Sequence, residues 1–260
     1  MRFQKRRKAV FRTGLTAVFL LFGVAFVNLQ SVDAGEAEGK TIYQANCLEC
    51  HGEQGDGKGF VCFSTKMEKS GRSIKTFARD FTAAVFKFRT TSTGCLPLDQ
   101  DLEDTVKKGI PPSFMPSFQD FSSQQIKDVL AYVMTFSERW EDEDLCDPIP
   151  IVKPTWVGSA ASVKKGEQVY KQMKCWECHG DTGKGDGTKS NELKDDFGRM
   201  IVPFDFTTGE LKRGTSPEAV YITFTTGLDG TGMPSYEDSL GEEDRWHMVS
   251  HTLKLMDMVD

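Results

Sequence analysis

Four things are scarce in this 260-residue chain, and each narrows its chemistry. Apolar runs are short: the extended one, Leu15 to Val27, falls below the about 20 residues that a membrane-spanning helix needs. Strand-like alternation is sparse, so the expected class is all-α. Basic charge is in deficit. The formal charge is −6, and it becomes −11 once residues 1–34, with six basic side chains and one acid, are set aside. That balance argues against nucleic acid; it fits either partners with basic docking faces or a surface kept acidic for solubility. Histidine is rarest, with four residues, and two of them, His51 and His179, each stand directly behind a pair of cysteines.

Those pairs are Cys47-Leu48-Glu49-Cys50-His51 and Cys175-Trp176-Glu177-Cys178-His179. The pattern C-x-x-C-H is the attachment spacing of a c-type haem. Two thiols one helical turn apart can bond the two vinyl groups of one porphyrin, and the next residue offers an imidazole to its iron. Other uses of cysteine pairs fit less well. A zinc ribbon wants its pairs some 15–20 residues apart, and these are separated by more than a hundred. A thioredoxin-like dithiol follows a strand in a βαβ pattern, which neither neighbourhood has. Two haem c groups per chain are therefore expected.

Residues 1–34 read as an export signal. Six basic side chains up to Arg12 precede the apolar run, and Val32-Asp33-Ala34 offers small residues for cleavage ahead of Gly35. The competing reading is an uncleaved N-terminal anchor, which would tie the chain to a membrane. Arg6-Arg7 fits a twin-arginine signal poorly. Export before folding suits haem attachment, so the expected compartment is the periplasm.

The remainder is an internal repeat. Gly39 to Tyr43 answers Gly166 to Tyr170, and the glycine-rich runs from Gly52 and Gly180 follow each histidine. Arg79-Asp80-Phe81-Thr82 answers Phe204-Asp205-Phe206-Thr207. Phe114-Met115-Pro116-Ser117-Phe118 answers Gly232-Met233-Pro234-Ser235-Tyr236. Each half closes on an amphipathic helix, marked by Ile126, Val129, Leu130, Val133 and Met134, then by Trp246, Val249, Leu253 and Met256. The boundaries expected are 35–140 and 161–260, joined by an acidic, proline-bearing linker over 141–160. Helices are expected over about 38–47, 101–108, 122–137, 162–174, 216–225 and 241–256, with a capping box at Ser122 and proline first in the helix at Pro217. The first half is longer, by 3 residues between Cys50 and Asp80 and by 7 between Asp80 and Met115.

Met115 and Met233, in register and each followed by proline, are the expected second iron ligands. A thioether favours reduced iron. His247 and His251 are the competing ligands, but the first half has no counterpart to them. Phe77, Phe81, Phe86, Phe88, Phe204 and Phe206 are expected to wall the pockets, and Arg89 with Lys212 or Arg213 to neutralise haem carboxylates. Lys58, Lys66, Lys69, Arg72 and Lys75 form a basic stretch, read as a docking edge or a solvated loop. Of the other cysteines, Cys62 and Cys95 are the favoured disulfide, with Cys146 free or paired with one of them.

On these motifs the chain resembles the dihaem class I c-type cytochromes, two small all-α cytochrome c domains in tandem. The resemblance covers the whole of the chain beyond the signal. It implies Cys47, Cys50, Cys175 and Cys178 as covalent haem anchors, His51 and His179 as proximal ligands, and Met115 and Met233 as distal ones. It also implies that the terminal helices of each domain pack together. The function implied is a periplasmic carrier of single electrons between a redox donor and an acceptor protein, such as a membrane quinol-oxidising complex or a periplasmic oxidoreductase, and no enzyme. One alternative is an electron-transfer subunit of a larger complex. The other is a dihaem peroxidase-like enzyme, for which no peroxide-cleaving acid or base stands out.

Overall fold

The computed structural model describes residues 34–67, 73–111 and 113–260. The export signal and anchor readings, and Lys69 and Arg72 of the basic stretch, lie outside these residues. The order is α1 (Ala34–Asn46), α2 (Leu48–His51), β1 (Phe63–Met67), β2 (Ser73–Phe77), α3 (Asp99–Lys108), α4 (Ser123–Met134), α5 (Arg139–Asp142), α6 (Ala160–Gln172), α7 (Trp176–His179), α8 (Pro217–Thr226) and α9 (Glu242–Leu255). No helix among the described residues is long and apolar enough to cross a membrane.

The architecture is one helical unit built twice. In the first half α1 crosses α4; in the second α6 crosses α9. Each crossing brings two backbones close at a glycine. A Cβ on Gly39 would overlap the Asp128 carbonyl, and one on Gly166 the His247 carbonyl. The helix starts follow their sequence signals. Ser122 Oγ accepts from the Gln125 amide at 3.2 Å while Gln125 Oε1 accepts from the Ser122 amide at 2.9 Å, a reciprocal capping box. Ser216 Oγ accepts from the Ala219 amide at 3.2 Å, with Pro217 first in the helix.

The buried faces are those marked by the 3.6-residue period. Ile126, Val129, Leu130 and Val133 are buried in α4, and Trp246, Val249 and Leu253 in α9. The second half has one continuous core around Trp246 and Tyr221, whose rings stack at 4.1 Å. The first has two smaller clusters, one on Ile42 and Val129, the other on Leu102 and Ile126.

The chain is mainly helical, as expected, with one small sheet added; the favoured disulfide is corrected. A β-hairpin is present: β1 and β2 pair antiparallel, Phe63 opposite Phe77 through Met67 opposite Ser73. No residue of either strand is buried, so the hairpin has no buried face to print an alternating pattern on the sequence. It falls where the first half carries 3 extra residues; at the matching place the second half has a single bridge, Lys194 to Met200.

The disulfide joins Cys95 to Cys146, with Cα atoms 6.1 Å apart and a sequence separation of 51, rather than Cys62 to Cys95. The chain after α5 folds back over the loop before α3: the Ile149 amide donates to the Thr90 carbonyl at 2.8 Å, and Arg139 Nη2 to the Gly94 carbonyl at 2.8 Å. That return carries Cys146 to Cys95 and leaves Cys62, a free thiol, at the base of the hairpin.

The 7 extra residues fall between Asp80 and α3, and they hold the halves together. Arg89 is wholly buried there. Its guanidinium donates to the Ser92, Phe86 and Thr226 carbonyls at 3.1, 3.0 and 2.8 Å and pairs with Asp229 at 2.8 Å. Asp229 also accepts from Thr93 Oγ1 at 2.7 Å and the Gly94 amide at 2.9 Å. Arg213 donates to the Arg89 carbonyl at 2.7 Å and approaches Asp101 at 3.6 Å. Arg89 and Arg213, read from sequence as partners of haem carboxylates, are thus committed to the contact between the halves. A buried charge is tolerated when its hydrogen bonds are complete, as these are.

Candidate functional site

In the first half Cys47, Cys50, His51 and Met115 line a single cavity of about 1360 Å³, counting its open mouth. Its walls include Phe77, Phe81, Phe86 and Phe88, as expected, and three cations stand at it: Arg79, Lys87 and Lys212. Helix α1 leads straight into the motif. The Cys47 amide donates to Tyr43 O at 2.8 Å and the His51 amide to Cys47 O at 2.9 Å, so both thiols and the imidazole leave one helical turn.

The loop behind the histidine is tied down identically in both halves. The Gly57 amide donates to His51 O at 2.9 Å and that of Gly185 to His179 O at 2.8 Å. The Phe81 amide donates to Gly55 O at 2.6 Å and that of Phe206 to Gly183 O at 2.7 Å. Asp80 and Asp205 shape the following turn, each accepting from the backbone amide and hydroxyl of the threonine two residues on, at 2.9 and 2.6 Å. These turns lay the Phe81 ring on His51 at 4.4 Å and the Phe206 ring on His179 at 4.7 Å, both nearly parallel.

The imidazoles differ in their hydrogen bonds. His51 Nδ1 lies 3.0 Å from the Arg79 carbonyl; donating there fixes the tautomer that leaves Nε2 free to bind a metal. His179 Nδ1 is buried and faces the counterpart carbonyl, that of Phe204, in a weaker geometry. Burial lowers the pKa of both, that of His179 to about 4, so each imidazole is neutral at pH 7. Burial also pushes the Cys47 and Cys175 thiols up to about 11.

The methionine loops are a second matched pair. The Ile110 amide donates to Met115 O at 3.1 Å and that of Leu228 to Met233 O at 3.0 Å. The Met115 and Met233 amides donate to Ser113 Oγ and Thr231 Oγ1, both at 3.2 Å. Ser117 and Ser235 tether the loop to the preceding helix through Lys107 O at 2.8 Å and Thr225 O at 2.7 Å. Two residues missed in the sequence make this possible: Gly109 and Gly227, each six before its methionine. Both have positive φ, +64° and +66°, and a Cβ on either would lie 2.6 Å from the carbonyl carbon of the loop proline, Pro116 or Pro234. Carrying the repeat alignment back from each Met-Pro would have found them. Tyr43 and Tyr170 also had no assigned role; their hydroxyls donate to Gly52 O at 2.7 Å and Gly180 O at 2.6 Å, bracing the histidine loop.

In the second half Cys175, Met233 and Tyr236 pack against one core cluster. His247 and His251 sit instead at the crossing of α6 and α9. His247 bonds Ser162 Oγ at 2.8 Å and lies tilted against Trp156 at 4.4 Å; His251 packs edge-on against Tyr170. Among the described residues no group of three His, Cys, Asp or Glu side chains is placed to hold a metal ion.

A family model described as cytochrome c oxidase, cbb3-type, subunit III matches residues 34–133 and again 161–251. The chain belongs to this family.

It is 25% identical over 207 residues to the cbb3-type cytochrome c oxidase subunit CcoP of Azospirillum brasilense, a match covering 79% of this chain and 57% of that protein. The chain thus spans little more than half the length of that curated relative. Among solved structures, a chain of the Kuenenia stuttgartiensis reducing HAO-like protein complex is 37% identical, with a TM-score of 0.77 over 84% of this chain and 95% of that one. Both likenesses agree with the tandem cytochrome c fold. Membership of this electron-transfer family implies covalently bound haem c. The residues of the first cavity fit it: a vicinal dithiol, a neutral imidazole, a thioether, aromatic walls and cations for carboxylates.

Proposed function

We propose that the chain is a dihaem c-type cytochrome that passes single electrons between redox proteins. In this reading Cys47 and Cys50 anchor one haem and Cys175 and Cys178 the other. His51 and Met115 ligate the first iron, His179 and Met233 the second. Haem c supplies a one-electron Fe(III)/Fe(II) couple when bound; the rest is positioning by the chain. The aromatic rings of Phe81 and Phe206 hold the imidazoles upright, and the Arg79 carbonyl sets the His51 tautomer. The tethered Met-Pro loops present sulfur with little freedom to lose, which raises the potential and keeps oxygen and peroxide off the iron.

The observation that carries this reading is the duplication of both ligand-bearing loops, hydrogen bond for hydrogen bond, around each C-x-x-C-H. The relatives named above belong to an oxidase and to a reducing HAO-like protein complex, which favours service as an electron-transfer subunit of a larger, exported oxidoreductase over a free carrier. The periplasm is the compartment proposed.

The test is haem stoichiometry by pyridine haemochrome with peptide mass spectrometry. Two haems, on the peptides of Cys47/Cys50 and of Cys175/Cys178, are the expected result. One haem, or none, would overturn the assignment. Co-purification of the native protein with a catalytic subunit then separates subunit from carrier.

A further inference from the structure

The cavity of the first half is not built by the first half alone. Lys212, from the second half, lines it beside Lys87 and Arg79. The segment that brings Lys212 there begins at Asp205 and Phe206, whose ring lies on His179. It ends at Arg213, which bonds the Arg89 carbonyl. Nine residues thus run from the imidazole of one site to the wall of the other.

The charges at this wall are out of balance. Arg79 is flanked by Asp80, Asp195 and Asp196. Lys87 and Lys212 have no hydrogen-bonded carboxylate among the described residues, Asp195 acting on Lys87 through space alone, and they stand against the apolar rings of the cavity. Burial drives Lys87 down to about 7 and lowers Lys212, and the like charge of Arg79 adds to both shifts. Two half-buried ammonium groups of this kind are stable only when an anion reaches them. A haem carries two carboxylates.

We propose that the second half completes the haem site of the first: Lys212 closes the cavity beside Lys87 and binds a carboxylate of the porphyrin seated on Cys47 and Cys50. This rests on the reading of that motif as a haem anchor. Two consequences follow. A cation held against the porphyrin disfavours the extra positive charge of ferric iron, so Lys212 raises the potential of the first haem. The contact around Arg89 and Asp229, by holding Lys212 in place, becomes part of that haem's electrostatic environment.

The experiment is a redox titration of the two-haem protein carrying Lys212→Gln, with Lys212→Arg and Lys87→Gln beside it. The first haem is identified as the one whose potential collapses in Met115→Ala. Lys212→Gln should shift its Fe(III)/Fe(II) equilibrium about tenfold toward ferric, a fall of about 59 mV, with the second haem unmoved. Lys212→Arg should restore it, and Lys87→Gln should shift it the same way. Resonance Raman should show the propionate bending mode of the first haem altered in Lys212→Gln only.

A fully loaded protein whose first potential and propionate mode ignore Lys212 would overturn this inference alone. So would a shift confined to the second haem. Absence of haem from the Cys47/Cys50 peptide of the unmutated protein would overturn the underlying reading instead.

Discussion

The two halves share a plan and differ in economy. The second is the plain version: one continuous core, a single β-bridge after the motif, and a short run from Asp205 to α8. The first splits its core in two, adds a hairpin, and carries seven more residues before α3. That longer segment holds Arg89, the Thr93–Gly94 contacts to Asp229, and Cys95. The haem-binding frame is thus kept constant while the added chain goes to joining the copies. Two joined domains need a docking surface, and here the longer segment of one half supplies much of it.

The comparison can be broken at several points. The largest effect is expected at the methionines. Axial ligand identity spans about 0.8 V of haem potential, so Met115→Ala and Met233→Ala should each lower one potential by well more than the about 59 mV of a tenfold step. Spectroelectrochemistry should find the other haem nearly unmoved. A common shift of both would show that the halves are not independent units.

Next is the disulfide. Opening a loop of 51 residues costs about 4 kcal/mol in the chain-entropy description. Cys95→Ser with Cys146→Ser should therefore lower the melting temperature of the protein's single cooperative transition. Calorimetry that finds a single unchanged transition would contradict this.

Asp229→Ala should cost about 3 kcal/mol, because it leaves the Arg89 guanidinium buried without its ion pair. The loss should appear as uncoupling: one cooperative transition becomes two, and proteolysis opens the segment between α5 and α6. If melting stays cooperative, the Arg89 network is not what holds the halves.

The smallest effects are expected at the helix starts. Ser122→Ala in α4 and Ser216→Ala in α8 each remove one N-cap, worth about 1 kcal/mol. Denaturant melts should find the two losses alike. A clearly larger loss at one would mark that helix as carrying more of its half.

The features legible in the sequence were those that repeat or obey a period. The two C-x-x-C-H motifs, the Met-Pro loops in register and the buried faces of α4 and α9 are local, and the structure has them where the pattern puts them. The methionine loops also needed Gly109 and Gly227, which are single residues at a backbone approach and leave no periodic trace. The hairpin of Phe63 to Phe77 escaped because neither of its faces is buried, so no alternation marks it. The Cys95–Cys146 pairing and the use of Arg89 depend on how a linker returns over a loop and how two units dock. Those are facts of tertiary geometry, and spacing along one chain does not encode them. Lys212 was read as a candidate for haem carboxylates, but that it lines the cavity of the other half is visible only in three dimensions.

The central proposal is that both irons are closed by a methionine and so serve electron transfer alone. Carbon monoxide added to the fully reduced protein at neutral pH tests it most directly. An optical spectrum unchanged at both haems is the predicted result. A stoichiometric change at either one would reveal an open iron and contradict the assignment of Met115 or Met233.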